Sequence, residues 1–366
     1  QVSKRVLRGG GFCVSGGSHS AYRNSNPPNL RDGCIGFRVV RVIPVTADSK
    51  PKKVSETPMG KTLPKVLPAE IESVAVIWDG APHSAFTDLI RFKDRWICVF
   101  REGGSPSSYD GKLRIISSND GQSWESAALL ESPGKDLRDP KLSRMPDGRL
   151  MLSAAERQQG GDTSEQTLAW NSTDGRQWSK AADLGEPNWR LWRITWRNGM
   201  GYSLAYSGKS SATTVRLFRG KDPTTFRPDV QDLGVVGGPS EASLLFLPDN
   251  TLLALVRRGA ATKTATLGTS SPPYETWAWK DLDQELAGPN LIRLADGRLV
   301  VGARLAKPAR TSLCWLDAEK GTLTEFLLLP SGGSSGYPGL VEHEGMLWVS
   351  YYSSHEGKTS IYLAKV

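Results

Sequence analysis

The chain has 366 residues, with 46 Lys and Arg against 38 Asp and Glu. At this length, and with 38% apolar residues and 12 Trp, it is able to bury roughly three quarters of its unfolded surface, which excludes a single small domain and a disordered protein. Runs of about 18 apolar residues are absent, so no membrane span is predicted. The four cysteines, Cys13, Cys34, Cys98 and Cys314, are too few and too scattered for a disulfide framework or a CxxC metal site, so no metal site is predicted from them.

The net charge of +8 is concentrated at the N-terminus. Residues 1–60 hold ten Lys and Arg and three acidic residues, which gives +7. Residues 61–366 therefore hold 36 basic and 35 acidic residues, which gives +1. Because the bulk of the protein is electrically balanced, nucleic-acid binding is not predicted.

The N-terminal segment is typical of a fragment of a different domain. Residues 5–41 resemble the C-terminal end of a formylglycine-generating-enzyme (sulfatase-modifying factor) domain in the order and spacing of RGG, SAYR, NPPNLR and IGFRVVR. That family's oxidative chemistry depends on two cysteines shortly after RGG. Here Cys13 is near the first position and residues 15–20 contain no second thiol, so we expect no activity from this segment.

The domain organisation follows from composition. Residues 46–67 are rich in Lys, Pro, Ser and Thr and read as a linker. We therefore predict a fragment at 1–45, a linker at 46–67 and the main domain at 68–366. The chain begins at Gln1 without a signal-peptide pattern, so we expect it to start inside a longer protein.

The main domain repeats one hairpin pattern six times. Each copy has an apolar run, a short polar turn and a second apolar run, and the turn residues are Asp94, Asp147, Asn198, Asp249, Asp296 and Glu344. Their separations of 53, 51, 51, 47 and 48 residues are typical of four-stranded propeller blades. The sequence therefore predicts an all-β, six-bladed β-propeller.

Two further segments also point to this architecture. Residues 117–124 (SSNDGQSW) and 171–178 (NSTDGRQW) lie 54 residues apart. They resemble the Asp-box of sialidases, with Asn119 and Thr173 at the usual Asp position. We expect a structural role, in which a polar turn is closed by side-chain hydrogen bonds and the Trp packs between adjacent sheets.

Equivalent offsets from the six turns predict the residues at one mouth of the central channel. On the first strand of each hairpin these are Phe86, Thr87, Arg138, Asp139, Trp189, Arg190, Glu241, Gly288 and Tyr337. On the second strand they are Arg101, Glu102, Ala155, Glu156, Tyr206, Arg257, Arg304, Tyr351 and Tyr352. A ring rich in Arg, Glu and Tyr is an unusual core, so we predict a functional site here.

This set of residues resembles the active site of the sialidase family over residues 75–366. The resemblance implies Tyr337 as nucleophile, Glu241 as its base and Asp110 as acid/base. It also implies that Arg257 and Arg310 bind the substrate carboxylate, with Arg304 as a competitor for the place of Arg310. Tyrosine suits an anomeric carbon that carries a carboxylate, because a neutral phenol avoids charge repulsion.

One departure from the family concerns its first arginine. Phe86 stands at that position, and a lost charge-assisted hydrogen bond costs roughly 1.5–3 kcal/mol. Candidate replacements as substrate-binding groups are Arg101, Arg138 and Arg193, and His83 lies just before the strand.

The resemblance implies a retaining exo-α-sialidase that releases a terminal acidic sugar from glycoconjugates. It also implies an extracellular or periplasmic location and no cofactor. Two alternatives remain open: a hydrolase or lyase acting on uronate-containing glycans, with His83 and Tyr337 as acid and base, or a non-catalytic carbohydrate-binding propeller. The sequence does not predict an oligomeric state.

Overall fold

The computed structural model describes residues 69–160, 164–207, 214–259 and 264–366, together with two strands nearer the N-terminus. The chain divides into two units, Gln1–Lys65 and Val66–Val366. In the first unit, strands β1 (Arg5–Arg8) and β2 (Arg23–Asn26) pair antiparallel. The rest of the segment that resembles a formylglycine-generating enzyme, and the predicted linker up to residue 67, lie outside the described residues.

The second unit consists of six antiparallel sheets, which confirms the predicted six-bladed propeller. Its first strand, β3 (Ser73–Trp78), belongs to blade 6. Blade 1 contains β4 (His83–Phe92), β5 (Arg95–Gly103), β6 (Lys112–Ser118) and β7 (Glu125–Leu130). Blade 2 contains β8 (Asp136–Arg144), β9 (Leu150–Arg157), β10 (Glu165–Ser172) and β11 (Ala182–Asp183). Blade 3 contains β12 (Trp189–Leu191), β13 (Thr195–Arg197), β14 (Met200–Ser207), β15 (Val215–Gly220), a 3-10 turn (Pro223–Thr225) and β16 (Arg227–Val230).

The remaining blades have the same plan. Blade 4 contains β17 (Pro239–Phe246), β18 (Leu252–Arg258), β19 (Thr266–Ser270) and β20 (Ala278–Asp281). Blade 5 contains β21 (Leu286–Arg293), β22 (Leu299–Leu305), β23 (Arg310–Asp317) and β24 (Thr322–Leu328). Blade 6 contains β25 (Ser335–His343), β26 (Met346–Ser353) and β27 (Ser360–Lys365), with β3 pairing antiparallel to β27. This pairing of the first and last strands of the unit closes the ring.

The hydrophobic core is divided among the blade junctions. Six clusters of buried apolar side chains each combine residues from two neighbouring blades. At the junction of blades 1 and 2, for example, Val99 and Leu152 are fully buried. Burying one face of each sheet against the next is the main source of stability in such a ring.

The two Asp-box-like segments form turns with the same hydrogen bonds from the backbone to the Asp carboxylate. Asp120 Oδ1 accepts the backbone N–H groups of the two residues that follow Gly121, and Asp174 does the same after Gly175. A third turn of this shape occurs at residues 270–277, where Tyr274 has a φ of +72° and Trp277 Nε1 donates to its carbonyl at 2.9 Å. Trp124 Nε1 makes the equivalent bond to Gly121. The third turn has neither the Asp nor the Gly of the motif, so the sequence pattern missed it.

The innermost strands share an irregularity that positions the site. Five of them change register at the same place, around the dipeptides 86–87, 139–140, 240–241, 288–289 and 337–338. Four of these bulges carry a residue with positive φ: Phe86 (61°), Asp139 (53°), Gly288 (59°) and Tyr337 (51°). In blade 3 the inner strand is instead interrupted between β12 and β13. A bulge re-aims the side chain that it carries, and bulges are common beside active sites.

Candidate active site

Glu241 lies at the centre of the strongest polar cluster at the channel mouth. The Tyr337 hydroxyl donates to Glu241 Oε1 at 2.6 Å, and Arg257 Nη1 donates to the same oxygen at 2.7 Å. The Gly288 N–H donates to Glu241 Oε2 at 2.6 Å. Three predicted site residues from blades 4 and 6 therefore meet, and a backbone N–H from blade 5, which lies between them, completes the arrangement.

The protonation state of Tyr337 follows from this environment. Burial and the nearby negative charge of Glu241 raise the pKa of Tyr337 well above its ordinary value. The attraction of Glu241 raises the pKa of Arg257, so that side chain stays cationic. The site accordingly holds a neutral phenol, whose hydroxyl hydrogen-bonds to the Glu241 side chain, and a cationic guanidinium on the same Glu241 oxygen.

Aromatic side chains surround the Tyr337 phenol. Phe86 packs edge-on against Tyr337 at 5.0 Å between ring centroids and against Tyr352 at 5.5 Å. Trp192 lies 6.0 Å from Tyr337 and 6.2 Å from Tyr206. Burial raises the pKa of both Tyr206 and Tyr352. The Tyr337 phenol is therefore packed among aromatic rings, of which Trp192 and Tyr352 are buried.

A second carboxylate, Asp139, belongs to the same cluster. Its Oδ2 accepts Arg190 Nη1 at 2.8 Å, and Arg190 also binds Glu165. The charge of Asp139 contributes to raising the pKa of Tyr337 and of Tyr206. Asp139 was predicted to line the mouth, but nothing in the sequence separated it from an ordinary ion-pair residue. Asp139 has a positive φ and lies in a bulge immediately before Pro140. This Asp-Pro pair is the one local sequence feature that coincides with its position at the mouth.

Arg304 is the arginine of this group that has no protein partner among the described residues. It makes no hydrogen bond or ion pair with them, and its Nε is buried without a partner. A Cβ at Gly336 would lie 2.7 Å from the Arg304 Cβ, which places Arg304 directly beside the Tyr337 bulge. The positive charge of Arg304 also acts on the Tyr352 hydroxyl.

Arg310 is committed to a different carboxylate. Its Nε donates to Glu325 Oε1 at 2.8 Å and its Nη2 to Glu325 Oε2 at 2.5 Å. It begins β23, the third strand of blade 5 counted from the axis, whereas Arg304 lies on the second strand. Arg310 makes no hydrogen bond or ion pair with the residues around Glu241. Arg304, rather than Arg310, thus lies beside the Tyr337 bulge.

Asp110 lies at the end of an exposed loop, and its side chain is 59% exposed. Its carboxylate accepts the Gly104 N–H at 3.0 Å and lies 3.8 Å from Arg101 Nη2. A hydrogen bond from Ser108 is the main cause that lowers its pKa. Asp110 makes no hydrogen bond or ion pair with the cluster around Glu241.

The loop that carries Asp110 is fixed by two buried arginines. Arg101 donates to Asp136 at 2.7 Å and to the Ser105 and Ser108 carbonyls. Arg138 donates to the Pro106 carbonyl at 2.7 Å, and its guanidinium covers the Phe86 ring at 5.3 Å. The loop therefore borders the mouth through Arg138.

Arg193 forms a bidentate pair with Asp88, at 2.9 and 3.0 Å. The same carboxylate accepts the Leu142 N–H at 2.8 Å, which links blades 1, 2 and 3. Nearby Lys141 is buried over the Trp192 ring at 4.7 Å, and burial lowers its pKa to about 8. Arg193 is thus engaged by the protein rather than free for a ligand.

His83 is 5% exposed, and neither of its ring nitrogens has a hydrogen-bond partner. Burial, with the charges of Arg101 and Arg138, lowers its pKa to about 4, so the imidazole is neutral at pH 7. Its ring lies 6.5 Å from Tyr352, between centroids. A buried imidazole without a partner is an available donor and acceptor at the edge of the site.

Within the described ranges, no cluster of three or more His, Cys, Asp or Glu side chains has the arrangement of a metal site. No helix in the described part of the chain has the length and apolar character needed to span a bilayer. The described cysteines, Cys98 and Cys314, are buried free thiols.

Comparisons with known proteins identify the fold. No family model and no curated protein matches the sequence. A solved structure of a Dyadobacter fermentans protein of unknown function has 20% identity and a TM-score of 0.70, over 81% of this chain and 98% of its own. A mutant of the α-L-arabinofuranosidase of Fusarium graminearum, solved with an iminosugar inhibitor, has 14% identity and a TM-score of 0.65, over 81% of this chain and 98% of its own.

The sialidase of Trypanosoma rangeli, solved as a covalent intermediate with 2,3-difluorosialic acid, has 11% identity and a TM-score of 0.63. The match covers 78% of this chain and 54% of the sialidase, so this chain spans about half the length of that enzyme. At these identities the similarity shows a sialidase-like six-bladed propeller, a fold that glycosidases of more than one specificity use.

Proposed function

We propose that this protein is a retaining exo-glycosidase of the sialidase class, which releases a terminal acidic sugar from a glycan. The observation that carries the proposal is the 2.6 Å hydrogen bond from the Tyr337 hydroxyl to Glu241, with Arg257 on the same carboxylate oxygen. A nucleophile within hydrogen-bond reach of a base, which is itself oriented by a third group, is the arrangement expected for covalent catalysis.

The raised pKa of Tyr337 determines how the phenol acts. Forming a free phenolate at pH 7 is unfavourable in this site, so proton transfer and attack have to be coupled. As Tyr337 Oη attacks the anomeric carbon, its proton passes to Glu241, the glycosidic C–O bond breaks, and the leaving oxygen takes a proton from the acid/base carboxyl. Water then attacks the same carbon with inversion and gives a proton to that carboxylate, while the departing Tyr337 oxygen recovers its proton from Glu241. The two inversions together give retention.

The acidic sugar is proposed from the arginines. Arg257 is half-buried and faces Glu241, while Arg304 has no partner among the described residues. A planar guanidinium binds a carboxylate through two parallel hydrogen bonds, which Lys cannot reproduce. We assign the substrate carboxylate to these two side chains because Arg257 contacts Glu241 and Arg304 lies beside the Tyr337 bulge, whereas Arg310 contacts Glu325 on the outer strands of blade 5.

The test is hydrolysis of an aryl α-sialoside by the wild type, Tyr337→Phe and Glu241→Gln. We expect a loss of at least about 100-fold in kcat for both variants. Tyr362→Phe is the matched control, because Tyr362 also donates to a glutamate, Glu356, at 2.8 Å on β27. Sialic acid release that survives unchanged in Tyr337→Phe would refute the mechanism.

The acid/base role is proposed for Asp110, whose exposed position leaves room for a leaving group. Its lowered pKa opposes proton donation, and Asp139 is the competing carboxylate. The two are separated by leaving-group dependence. A variant that lacks the general acid retains activity on an aryl sialoside, which has a good leaving group, but loses activity on an alkyl sialoside. We expect this pattern for Asp110→Asn; finding it only for Asp139→Asn would transfer the role.

A second candidate substrate is a uronate-containing glycan, and Phe86 is the observation that favours it. The Phe86 ring packs against Tyr337 where the family holds its first arginine, and His83 is a neutral, unpartnered imidazole close to Tyr352. Product absorbing in the ultraviolet would identify a lyase with His83 and Tyr337 as acid and base. Binding of such glycans without any product would instead indicate a carbohydrate-binding propeller.

We also propose that the protein acts outside the cytoplasm, in the periplasm or the extracellular space, since its glycan substrates lie there. The segment at residues 1–45 is proposed as an inactive fragment of a formylglycine-generating-enzyme-like domain joined by a linker. Detection of the protein in the culture medium or periplasmic fraction of its source cell would support the location, and a purely cytosolic signal would refute it.

A further inference from the structure

We propose that Thr87 and Asn290 are positioning residues for Tyr337, and that they hold the Tyr337 bulge from the two neighbouring blades. This inference rests on the proposed function, in which Tyr337 is the nucleophile. It concerns two side chains that touch neither the phenol nor Glu241 and that hold only the backbone behind them.

Thr87 holds the bulge from blade 1. Its hydroxyl donates to the Tyr337 carbonyl at 2.9 Å, and Ser350 donates to the Thr87 oxygen at 3.0 Å. Both Thr87 and Ser350 are buried. Because Ser350 supplies a proton to Thr87, the single Thr87 proton is committed to the Tyr337 carbonyl.

Asn290 holds the bulge from blade 5. Its Nδ2 donates to the Pro338 carbonyl at 3.1 Å, and the residue is buried. The two consecutive carbonyls of the bulge therefore each accept a side chain from a different neighbouring blade. Tyr337 and Pro338 lie in the register shift between Gly336 and Gly339, so they have no partner residues on β26. Thr87 and Asn290 therefore supply side-chain hydrogen bonds to two consecutive carbonyls in the irregular part of the ladder.

The backbone conformation makes this restraint necessary. Tyr337 has a φ of +51°, which is unfavourable for a bulky aromatic residue. Such a conformation persists only where its surroundings over-determine it. Relaxation toward an extended backbone would rotate the phenol away from Glu241. The hydrogen bonds from Thr87 and Asn290 therefore affect the reaction by keeping the Tyr337 side chain oriented toward Glu241.

The same kind of contact occurs elsewhere without a site residue. The Thr195 hydroxyl of blade 3 donates to the Leu244 carbonyl of blade 4 at 3.0 Å. It links two blades but does not hold a bulge residue with positive φ. Thr195 therefore provides a matched control for loss of an inter-blade hydroxyl–carbonyl bond.

The first experiment compares kcat and KM on the aryl sialoside for Thr87→Val, Thr87→Ser, Asn290→Leu and Thr195→Val. We expect Thr87→Val and Asn290→Leu each to lower kcat by about 10- to 100-fold, since misplacement by about 1 Å has that effect, with KM within about twofold. Thr87→Ser keeps the hydroxyl and should restore kcat, and Thr195→Val should keep it despite a similar loss in Tm. Unchanged kcat in both Thr87→Val and Asn290→Leu would overturn the proposal, as would an equal loss in Thr195→Val.

The second experiment separates this proposal from the proposed function. Crystal structures of the wild type, Thr87→Val and Asn290→Leu report the Tyr337 φ and the distance from Tyr337 Oη to Glu241 Oε1 without any substrate. If the wild type does not cleave the sialoside, the proposed function fails, and the crystal structures alone then test whether Thr87 and Asn290 hold Tyr337 in place. A phenol displaced from Glu241 in either variant supports the restraint, and an unmoved Tyr337 in both overturns it. If Thr87→Val does not fold, Asn290→Leu still tests the proposal, because it removes the hydrogen bond to the Pro338 carbonyl.

Discussion

Substituting Gly288 by alanine should disable the site without removing any side chain from it. A Cβ at this position would lie 2.6 Å from Tyr337 Cγ and 2.8 Å from Cδ1, distances at which the ring has to move. The ring has little room, because Phe86 and Trp192 pack against it. The φ of +59° adds a cost of about 1–2 kcal/mol for a residue with a Cβ.

The expected loss of activity follows from the hydrogen bond that Tyr337 makes. A phenol displaced from Glu241 forfeits a charge-assisted hydrogen bond of about 1.5–3 kcal/mol, which is roughly 10- to 150-fold in rate if it acts fully in the transition state. The Gly288 N–H, 2.6 Å from Glu241 Oε2, is disturbed at the same time. We therefore expect kcat for Gly288→Ala to fall by about 100-fold or more, with a smaller change in KM.

Steady-state kinetics on the aryl sialoside and thermal unfolding together test this expectation. Gly148→Ala is the matched control, because Gly148 has a φ of +83° and no atom within 4 Å of a built Cβ. It should lose stability through backbone strain but retain kcat. Wild-type kcat in Gly288→Ala would refute the steric reasoning, and an equal kcat loss in Gly148→Ala would show that strain alone is responsible.

Two further predictions concern charged and titratable groups. Arg304→Ala should raise KM for an acidic sugar by about 10- to 100-fold while Arg310→Ala leaves KM near wild type, because Glu325 already holds Arg310; the reverse ranking would contradict the assignment. The pKa of His83 is about 4 in the folded protein, against 6.5 in the unfolded chain. Between these two pH values the unfolded chain binds one proton more than the folded protein, so the free energy of unfolding decreases as the pH falls from 6.5 to about 4. The free energy of unfolding decreases by at most about 3 kcal/mol through this effect. Urea unfolding at pH 7 and pH 4.5 should show a smaller decrease in His83→Gln than in the wild type. An identical pH dependence in both proteins would contradict a contribution from His83.

The sequence was informative about the site where the repeat made positions equivalent. Tyr337, Glu241 and Arg257 were predicted to face one mouth because each has the same offset from its own hairpin turn as residues in the other blades. The structure brings these three into direct contact, although Tyr337 and Glu241 are 96 residues apart. The repeat therefore predicted that these residues lie at the same mouth, although it does not itself describe contacts between distant residues.

Spacing alone was less informative where strands diverge from the repeat. The family resemblance implied Arg310 with Arg304 as its competitor, and only the structure shows that Arg310 lies on the third strand of blade 5 and pairs with Glu325. Asp139 drew attention only as a mouth residue, and its pairing with Arg190 depends on how blades 2 and 3 meet. The Gly288 N–H donor was invisible, because every residue except proline carries that group.

The sequence by itself determined the architecture of the main domain: the number of blades, the hairpin turns and the face on which polar residues gather. These features are local, since they depend on alternating apolar residues and turn residues at a regular spacing. Only the tertiary structure decided which groups share a hydrogen bond and which arginine stays unpaired. Those outcomes depend on the positive φ of Phe86, Asp139 and Tyr337 and on contacts between blades, and a repeat of apolar and turn residues does not specify which side chains of different blades meet.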